Sequence, residues 1–337
     1  MAQEYMRAVD IKGGKGPISA LYINDKYPKP VAREGQAIVK IKYFGLNRAD
    51  LLQREGGYPS PPHASPLMGL EFSGTIESIA PGAEREFKVG DEVFGLAYGG
   101  AYAEYIAVST HMLIHKPQEL TWEEAAGIPE TWMTATQALY LIAGFVPGKS
   151  VLFHAGASAV SISGQQLVKA DGASKIFVTT RSEEKNRFCV EKLGATAAFL
   201  QTGDWAEEVL KATDGKGVDI IIDFIGAPTF GSNLKALARD GICVTLAALG
   251  GVELPAGVNI GLLLYKRIRY EGSTLRSRDE EYQGRLRDQL VEHAMPKFKD
   301  GTFKVFIEKV FDMEQIQQAH ELMASNKTKG KLICRVS

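Results

Sequence analysis

Two hydrophobic rhythms divide the chain. In the first third, short stretches alternate apolar and polar positions and favour β-branched and aromatic residues, as in "EGQAIVKIKYFGLN" (34–47) and "LEFSGTIESIAPG" (70–82). "VGDEVFGLAYGGAYAEYIAVST" (89–110) adds two more strand-like pieces, separated by Gly99 and Gly100. This pattern predicts a mainly antiparallel β domain. "TWEEAAGIPETWMTATQALYLIAG" (121–144) then turns helical, with Thr121 as N-cap and Glu124 three residues on completing a capping box.

From Lys149 the rhythm becomes β-α-β-α. The strands are "SVLFHAG", "KIFVTT", "VDIIIDFIG" and "GICVTLAALGG"; the helices are "SAVSISGQQLVKAD", "SEEKNRFCVEKLG", "WAEEVLKATDG" and "TFGSNLKALAR". Continuous apolar strands belong to a sheet buried on both faces, and right-handed crossovers make it doubly wound and parallel. A polar helix, "DEEYQGRLRDQLVEHAMPKF", a strand, "TFKVFIEKVFD", a helix around "EQIQQAHELMASN" and a strand, "GKLICRV", end the chain. This tail is expected to return to the first domain. The boundaries predicted are 1–130 with 277–337 for the catalytic domain and 131–276 for the nucleotide-binding domain.

Composition narrows the function classes. A length of 337 residues suits two domains. A net charge of −1 gives no basic field for a nucleic-acid partner. Cys189, Cys243 and Cys334 are too widely spaced for a metal motif or a disulfide framework and suit a reducing compartment. The opening residues carry no apolar targeting core, and no apolar run is long enough to span a bilayer. A cytoplasmic protein acting on small molecules is the expectation.

The candidate chemistry begins at "VLFHAGASAVSISG", a strand, a small-residue turn and a helix start. Such a turn offers backbone N–H groups and a positive dipole end to a pyrophosphate. Gly156, Ala157, Ser158, Ala159 and Val160 are the candidate contacts. Ala159 and Ser161 stand where glycine would let the phosphates approach the backbone. They predict a working but tighter loop that pushes the pyrophosphate outward.

An NAD site places an acidic residue about 20 positions past the loop, on the ribose hydroxyls. Here "VTTRSEEK" supplies Thr180, Arg181, Ser182 and Lys185 instead. Ser182 also serves as an N-cap, but Lys185 stands where a capping box would want Glu or Gln, and a cation in the first turn opposes the helix dipole. A ribose 2′-phosphate accounts for Arg181, Ser182 and Lys185 together. NADPH is the cofactor predicted. In the first domain, Asn47 precedes a short helical stretch and Tyr58 follows two glycines on a loop. On pattern alone, Tyr58 reads as surface or packing and Asn47 as a local backbone partner.

Several motifs keep their order along nearly the whole chain: "LNRADLLQREGGYPSPP", "GLEFSGTI", "VGDEVFGL", "AAGIPETWMTATQAL", "VLFHAGAS", "VDIIIDFIG" and "STLRSRD". Together they resemble the zinc-independent quinone oxidoreductases of the medium-chain dehydrogenase/reductase superfamily. Within that group they are most similar to the tumour-suppressor-inducible branch, with zeta-crystallin a more distant relative. The resemblance implies a GroES-like catalytic domain, an inserted Rossmann domain and a homodimer joined through the Rossmann sheets. It implies that Tyr58 and Ser158 line the nicotinamide and substrate pocket, that Asn47 is the pocket asparagine, and that Ser182 and Lys185 grip the 2′-phosphate. Thr131 and Thr134 fall where the family runs near the cofactor.

No cysteine precedes Cys189. The cysteine ligands of the superfamily's zinc enzymes are therefore missing from the first domain, and no metal is expected. The activity implied is hydride transfer from NADPH to a quinone or related conjugated carbonyl. The alternatives are a 2-enoyl thioester or enone reductase, and a non-catalytic NADPH-binding protein of crystallin or RNA-binding type.

Overall fold

The computed structural model describes residues 3–58, 60–83 and 86–336. The chain forms two units, Met1–Met133 with Arg276–Ser337, and Thr134–Leu275. Arg276, the last residue expected in the nucleotide-binding domain, packs with the first unit, as does Thr131.

In the first unit, β1 (Tyr5–Ile11) and β2 (Leu21–Pro28) form an antiparallel pair that the sequence pattern had not announced. β3 (Gln36–Gly45), α1 (Arg48–Glu55), β4 (Glu71–Ile79), β5 (Glu92–Leu96), β6 (Tyr105–Ser109) and β7 (Leu113–His115) follow. The helical stretch expected at 121–144 is three pieces. α2 (Trp122–Ala126) carries the predicted Thr121–Glu124 capping box and stops at Gly127; α3 (Pro129–Thr136) restarts at proline, which tolerates only a helix's first turn; a π-helical segment continues over Gln137–Ile142.

The second unit contains β8 (Ser150–Phe153), α4 (Ala159–Ala170), β9 (Lys175–Thr180), α5 (Glu183–Phe188), β10 (Ala197–Leu200), α6 (Trp205–Ala212), β11 (Val218–Asp223), α7 (Phe230–Ala236), β12 (Leu237–Thr245), α8 (Gly261–Lys266) and β13 (Arg269–Gly272). Its six strands run in the order β10-β9-β8-β11-β12-β13, all parallel. The order reverses between β8 and β11, so ligands are expected beyond the carboxyl ends of those strands. Leu152, Phe177, Trp205, Val209, Ile221 and Cys243 fill the core on one face. The helix expected over 229–239 is shorter, because the chain from Leu237 already pairs with Val218 of β11.

The tail brings α9 (Glu280–His293), α10 (Met295–Lys299), β14 (Ile307–Asp312), α11 (Ile316–Ala324) and β15 (Lys331–Arg335). β15 pairs antiparallel with β3 and completes a seven-stranded sheet, so the tail does build the first unit. The architecture is α/β, a GroES-like, mainly antiparallel unit and a parallel-sheet Rossmann unit.

Candidate active site

In the first unit the sequence places a polar knot where β3, β4, β15 and the start of α1 meet. Asn47 caps α1: its backbone N–H donates to the Asp50 carboxylate at 2.7 Å. Its side chain faces the other way, donating to Glu71 Oε1 at 2.9 Å and accepting from Lys331 Nζ at 3.0 Å. Lys331 also bonds Glu71 directly and donates to Leu46 O at 2.9 Å. Glu71 is wholly buried and Lys331 nearly so. Gly45 makes this possible, since a Cβ there would lie 2.4 Å from Glu71 Oε1. Asn47 thus orients a buried ion pair.

A second chain of contacts backs α1. Gly69 N–H donates to Asp50 Oδ1 at 3.2 Å and Tyr102 O–H to Asp50 Oδ2 at 3.1 Å. Arg54 lies 3.0 Å from His320 Nδ1, and the other ring nitrogen stands 3.4 Å from the Tyr102 oxygen. Burial raises the Asp50 carboxyl to about 6. Burial and the Arg54 charge lower the His320 imidazole to about 3, so it is neutral.

Tyr58 is half-buried, and the guanidinium of Arg276 lies 5.4 Å from its ring centroid. Arg276 is fixed by three bonds: Nε to Tyr98 O at 2.7 Å, one terminal nitrogen to Gln53 Oε1 at 2.9 Å, the other to Ser60 Oγ at 3.0 Å. Burial, and then the charge of Glu130, push the Tyr58 phenol up to about 12, against Arg276. It is a hydrogen-bond donor at neutral pH. Arg276, Glu71, Lys331 and Glu130 were not singled out from the sequence as site residues, although Arg276, Glu71 and Glu130 lie inside the family-like motifs. The usable signal was local: Glu71 stands between the apolar Leu70 and Phe72.

In the second unit, Ser158 N-caps α4, its Oγ accepting from Ser161 N–H at 3.4 Å. The first intrahelical bond runs from Ile162 N to Ser158 O, so the amides of Ala159 and Val160 precede the ladder, as an anion site requires. Ala155 takes the left-handed conformation, φ 48°, and Gly156 N–H donates to Thr179 O at 2.9 Å. A Cβ on Gly156 would lie 2.5 Å from Val178 Cβ, so the turn packs on β9 only as glycine. Ala157 is buried; Ser158, Ala159 and Val160 are half-buried.

Ser161 departs from expectation. It is wholly buried, and its hydroxyl donates to His154 O at 2.9 Å and accepts from Ser158 Oγ at 3.1 Å. It pins α4 to the end of β8, and its added atoms point into the protein. Only Ala159 is left to crowd a pyrophosphate.

Thr180 is buried, with its hydroxyl engaged by Ser182 O and Asn186 Oδ1 at 2.9 and 2.8 Å. Ser182 is the N-cap of α5, accepting from Lys185 N–H at 3.3 Å. Arg181 is exposed beside it, and Lys185 is half-buried. Thr134 is half-buried on α3, whereas the Thr131 hydroxyl is spent on Gly127 O at 3.1 Å. Beneath the carboxyl ends of the strands, His154 Nδ1 lies 2.7 Å from Thr179 Oγ1 and Nε2 lies 2.7 Å from Asn233 Oδ1. The Asn233 amide donates to Asp223 Oδ2 at 3.2 Å. This network stiffens the floor of the unit and was not read from the sequence.

Two family models match the chain: the alcohol dehydrogenase GroES-like domain over residues 33–118 and the zinc-binding dehydrogenase over residues 159–292. The zebrafish (Danio rerio) synaptic vesicle membrane protein VAT-1 homolog is 30% identical, over 95% of this chain and 68% of its own length. The chain belongs to the medium-chain dehydrogenase/reductase superfamily. It is an oxidoreductase by that membership, and members bind a nicotinamide cofactor. The guanaco (Lama guanicoe) quinone oxidoreductase is 28% identical over 98% of both chains. The crystal structure of CurK enoyl reductase is 25% identical with a TM-score of 0.84, covering 99% of this chain and 100% of that one.

The second of these families is described as zinc-binding. Among the described residues, no group of three or more His, Cys, Asp or Glu side chains could hold a metal ion. The oxygens of Asn47, Leu46 and Glu71 surround the Lys331 ammonium, which already supplies the cation there. The first unit's one cysteine, Cys334, is buried with its thiol pushed well above the ordinary range. These residues do not fit a zinc ion. The start of α4 does fit a dinucleotide: a helix N-terminus on a glycine-dependent turn, at the carboxyl end of a parallel sheet.

Proposed function

We propose that this superfamily member is an NADPH-dependent quinone reductase that works without a metal. The observation that carries this reading is Tyr58, a phenol kept protonated on a loop braced by Arg276. NADPH, when bound, supplies the hydride. Tyr58 then donates a hydrogen bond to the acceptor oxygen as it gains charge, and the Arg276 side chain holds the ring in place. Ser158, the cap of α4, orients the nicotinamide amide or the substrate. Asn47 acts indirectly, by holding the Glu71–Lys331 pair. The motif-level likeness to the tumour-suppressor-inducible branch supports the same acceptor class.

Arg181, Ser182 and Lys185 are proposed to grip the 2′-phosphate. The Ser182 hydroxyl, which accepts from Lys185 N–H as a cap, keeps its own proton for that bond. Replacing both Ser182 and Lys185 by alanine should weaken NADPH binding by roughly 2–4 kcal/mol and leave NADH nearly unchanged, as read by fluorescence titration. Equal losses for the two nucleotides would remove the 2′-phosphate from the account.

A second reading, a 2-enoyl thioester or enone reductase, is favoured by the protonated Tyr58 and by the likeness to CurK enoyl reductase. Enolate protonation needs an acid more than quinone reduction does. A cytoplasmic homodimer is the proposed form. Its support is an edge strand, β13, preceded by exposed apolar residues, with Val252 81%, Leu264 77% and Tyr265 72% accessible, and three free, buried thiols.

A further inference from the structure

A cavity of about 330 Å³ lies within the first unit, and neither Asn47 nor Tyr58 lines it. One side of it is β6, all five of whose residues, Tyr105 to Ser109, face the space. Alternate side chains of a strand point to opposite faces, so five in a row can line one cavity only along the strand's edge.

That edge is unpaired. β6 runs antiparallel to β3, with Gln36 opposite Ser109 and Lys40 opposite Tyr105. The flanking bonds fix the phase of the ladder: Ile41 N–H donates to Glu104 O at 2.8 Å, and Thr110 N–H to Gly35 O at 3.1 Å. Hydrogen-bonded pairs alternate along such a ladder, so Ile106 and Val108 turn their N–H and C=O groups toward β3. Tyr105, Ala107 and Ser109 turn theirs away from it, and these groups have no partner among the described residues. Ser109 is only 7% exposed, and a recessed backbone group without a partner is costly.

The chain itself already pairs with this edge one step earlier. Val9 N–H donates to Tyr102 O at 2.8 Å and Glu104 N–H to Arg7 O at 3.0 Å, so β1 lies antiparallel against it. Past Glu104 the start of β1 stays with β2, Tyr5 opposite Pro28, and leaves the edge open. On the facing wall, Pro28 and Pro30 have no N–H to offer the outward carbonyls.

We infer that this edge takes an extended peptide segment of a partner protein, which continues the pairing begun by β1 and adds a strand to β6. Main-chain bonds to Tyr105, Ala107 and Ser109 give the affinity, and every second side chain of the segment meets apolar lining at Met6, Leu67, Ile106 and Met112. The three outward residues span about 13 Å, so about five residues of the partner fill the edge. The walls are already in place. Tyr98 O–H donates to Arg278 O at 2.7 Å, its ring meets His63 edge-on at 4.6 Å, and Lys29 Nζ sits 4.1 Å from the Tyr105 ring centroid. A site fixed beforehand loses little freedom on binding. Its rim carries one exposed cation, Arg33, and one exposed anion, Glu280, neither in an ion pair among the described residues. An apolar segment flanked by one acid and one base complements that rim.

The probe for the test is a blocked, fluorescein-labelled heptapeptide of alternating valine and threonine, with glutamate first and lysine last. Anisotropy titration with the full chain should give saturable binding. Two further peptides carry N-methyl groups on the valine amides or on the threonine amides. One of them should bind at least tenfold more weakly and the other within threefold of the parent, since only one set of amides faces β6. Ala107→Pro removes an outward N–H and spares the β3 ladder, so it should weaken the parent peptide at least tenfold while NADPH Kd stays unchanged. Amide exchange followed by NMR should find Tyr105, Ala107 and Ser109 faster than Ile106 and Val108 in the free chain, and slowed by the peptide. Absence of saturable binding, equal binding of the two methylated peptides, or protection at other residues overturns the inference. Self-association of the free chain that protects the same three amides also overturns it, by making a second copy the occupant.

Discussion

At the scale of single residues, the site depends on which polar groups are held and by what. Tyr58 was visible in the sequence only as a loop tyrosine, and its importance came from motif resemblance. Its brace could not be seen, because Arg276 is more than two hundred positions away and reaches Tyr58 only through the returning tail. If the phenol stabilises the developing oxyanion, Tyr58→Phe should reduce kcat and kcat/KM together, by about tenfold to a hundredfold, with NADPH binding unchanged. Steady-state kinetics beside a binding titration measures this. An unchanged rate would leave Tyr58 as a wall. On pattern Asn47 was legible only as a partner of local backbone; its own backbone N–H does meet Asp50, yet its side chain answers to Glu71 and Lys331, partners 24 and 284 positions away.

At the scale of elements, the β-α-β rhythm was legible because continuous apolar strands and capped helices leave strong local signals. The edge strands β10 and β13 were not, since AAFL and RYEG lack the β-branched residues that mark a strand. The inner side of α4 was misjudged for a related reason: a sequence gives the residue at a turn but not which way its Cβ points. Ser161 faces His154 and holds the Ser158 hydroxyl, so removing it loosens the helix start. Ser161→Gly should lower stability by roughly 1–2 kcal/mol, from one lost buried hydrogen bond and added backbone freedom, while freeing Ser158 to bond elsewhere. Thermal melts with and without NADPH test this: apo Tm should fall, and the NADPH-induced rise in Tm should be at least as large as in wild type. A smaller rise would mean that the Ser158–Ser161 contact helps the loop bind.

At the scale of the whole molecule, the two-unit organisation followed from the change of rhythm near Lys149 and the return of rhythm in the tail. What stayed hidden is how much charge the first unit buries. Its pH response should follow from His320 on one side and from the raised carboxyls of Asp50 and Glu130 on the other. His320 is depressed to about 3, so its contribution is present above the ordinary imidazole range and is lost as pH falls toward 3. Glu130 is raised to about 8, so its contribution is present below the ordinary carboxylate range and is lost as pH rises through 8. In denaturant melts against pH, the stability of wild type relative to His320→Gln should fall by roughly 2–4 kcal/mol between neutral pH and pH 4, the carboxyls moving alike in both proteins. A difference that does not change with pH would assign the loss to other groups.

The central claim, reduction of a quinone by NADPH without a metal, is tested most directly by one assay. NADPH and NADH oxidation are followed after exhaustive chelation with 1,2-naphthoquinone as acceptor, and with crotonyl-CoA beside it. The account predicts turnover of the quinone that survives chelation, with kcat/KM for NADPH at least tenfold above that for NADH. Saturable NADPH binding with no turnover of either acceptor, or activity that disappears with the chelator and returns with zinc, would contradict it.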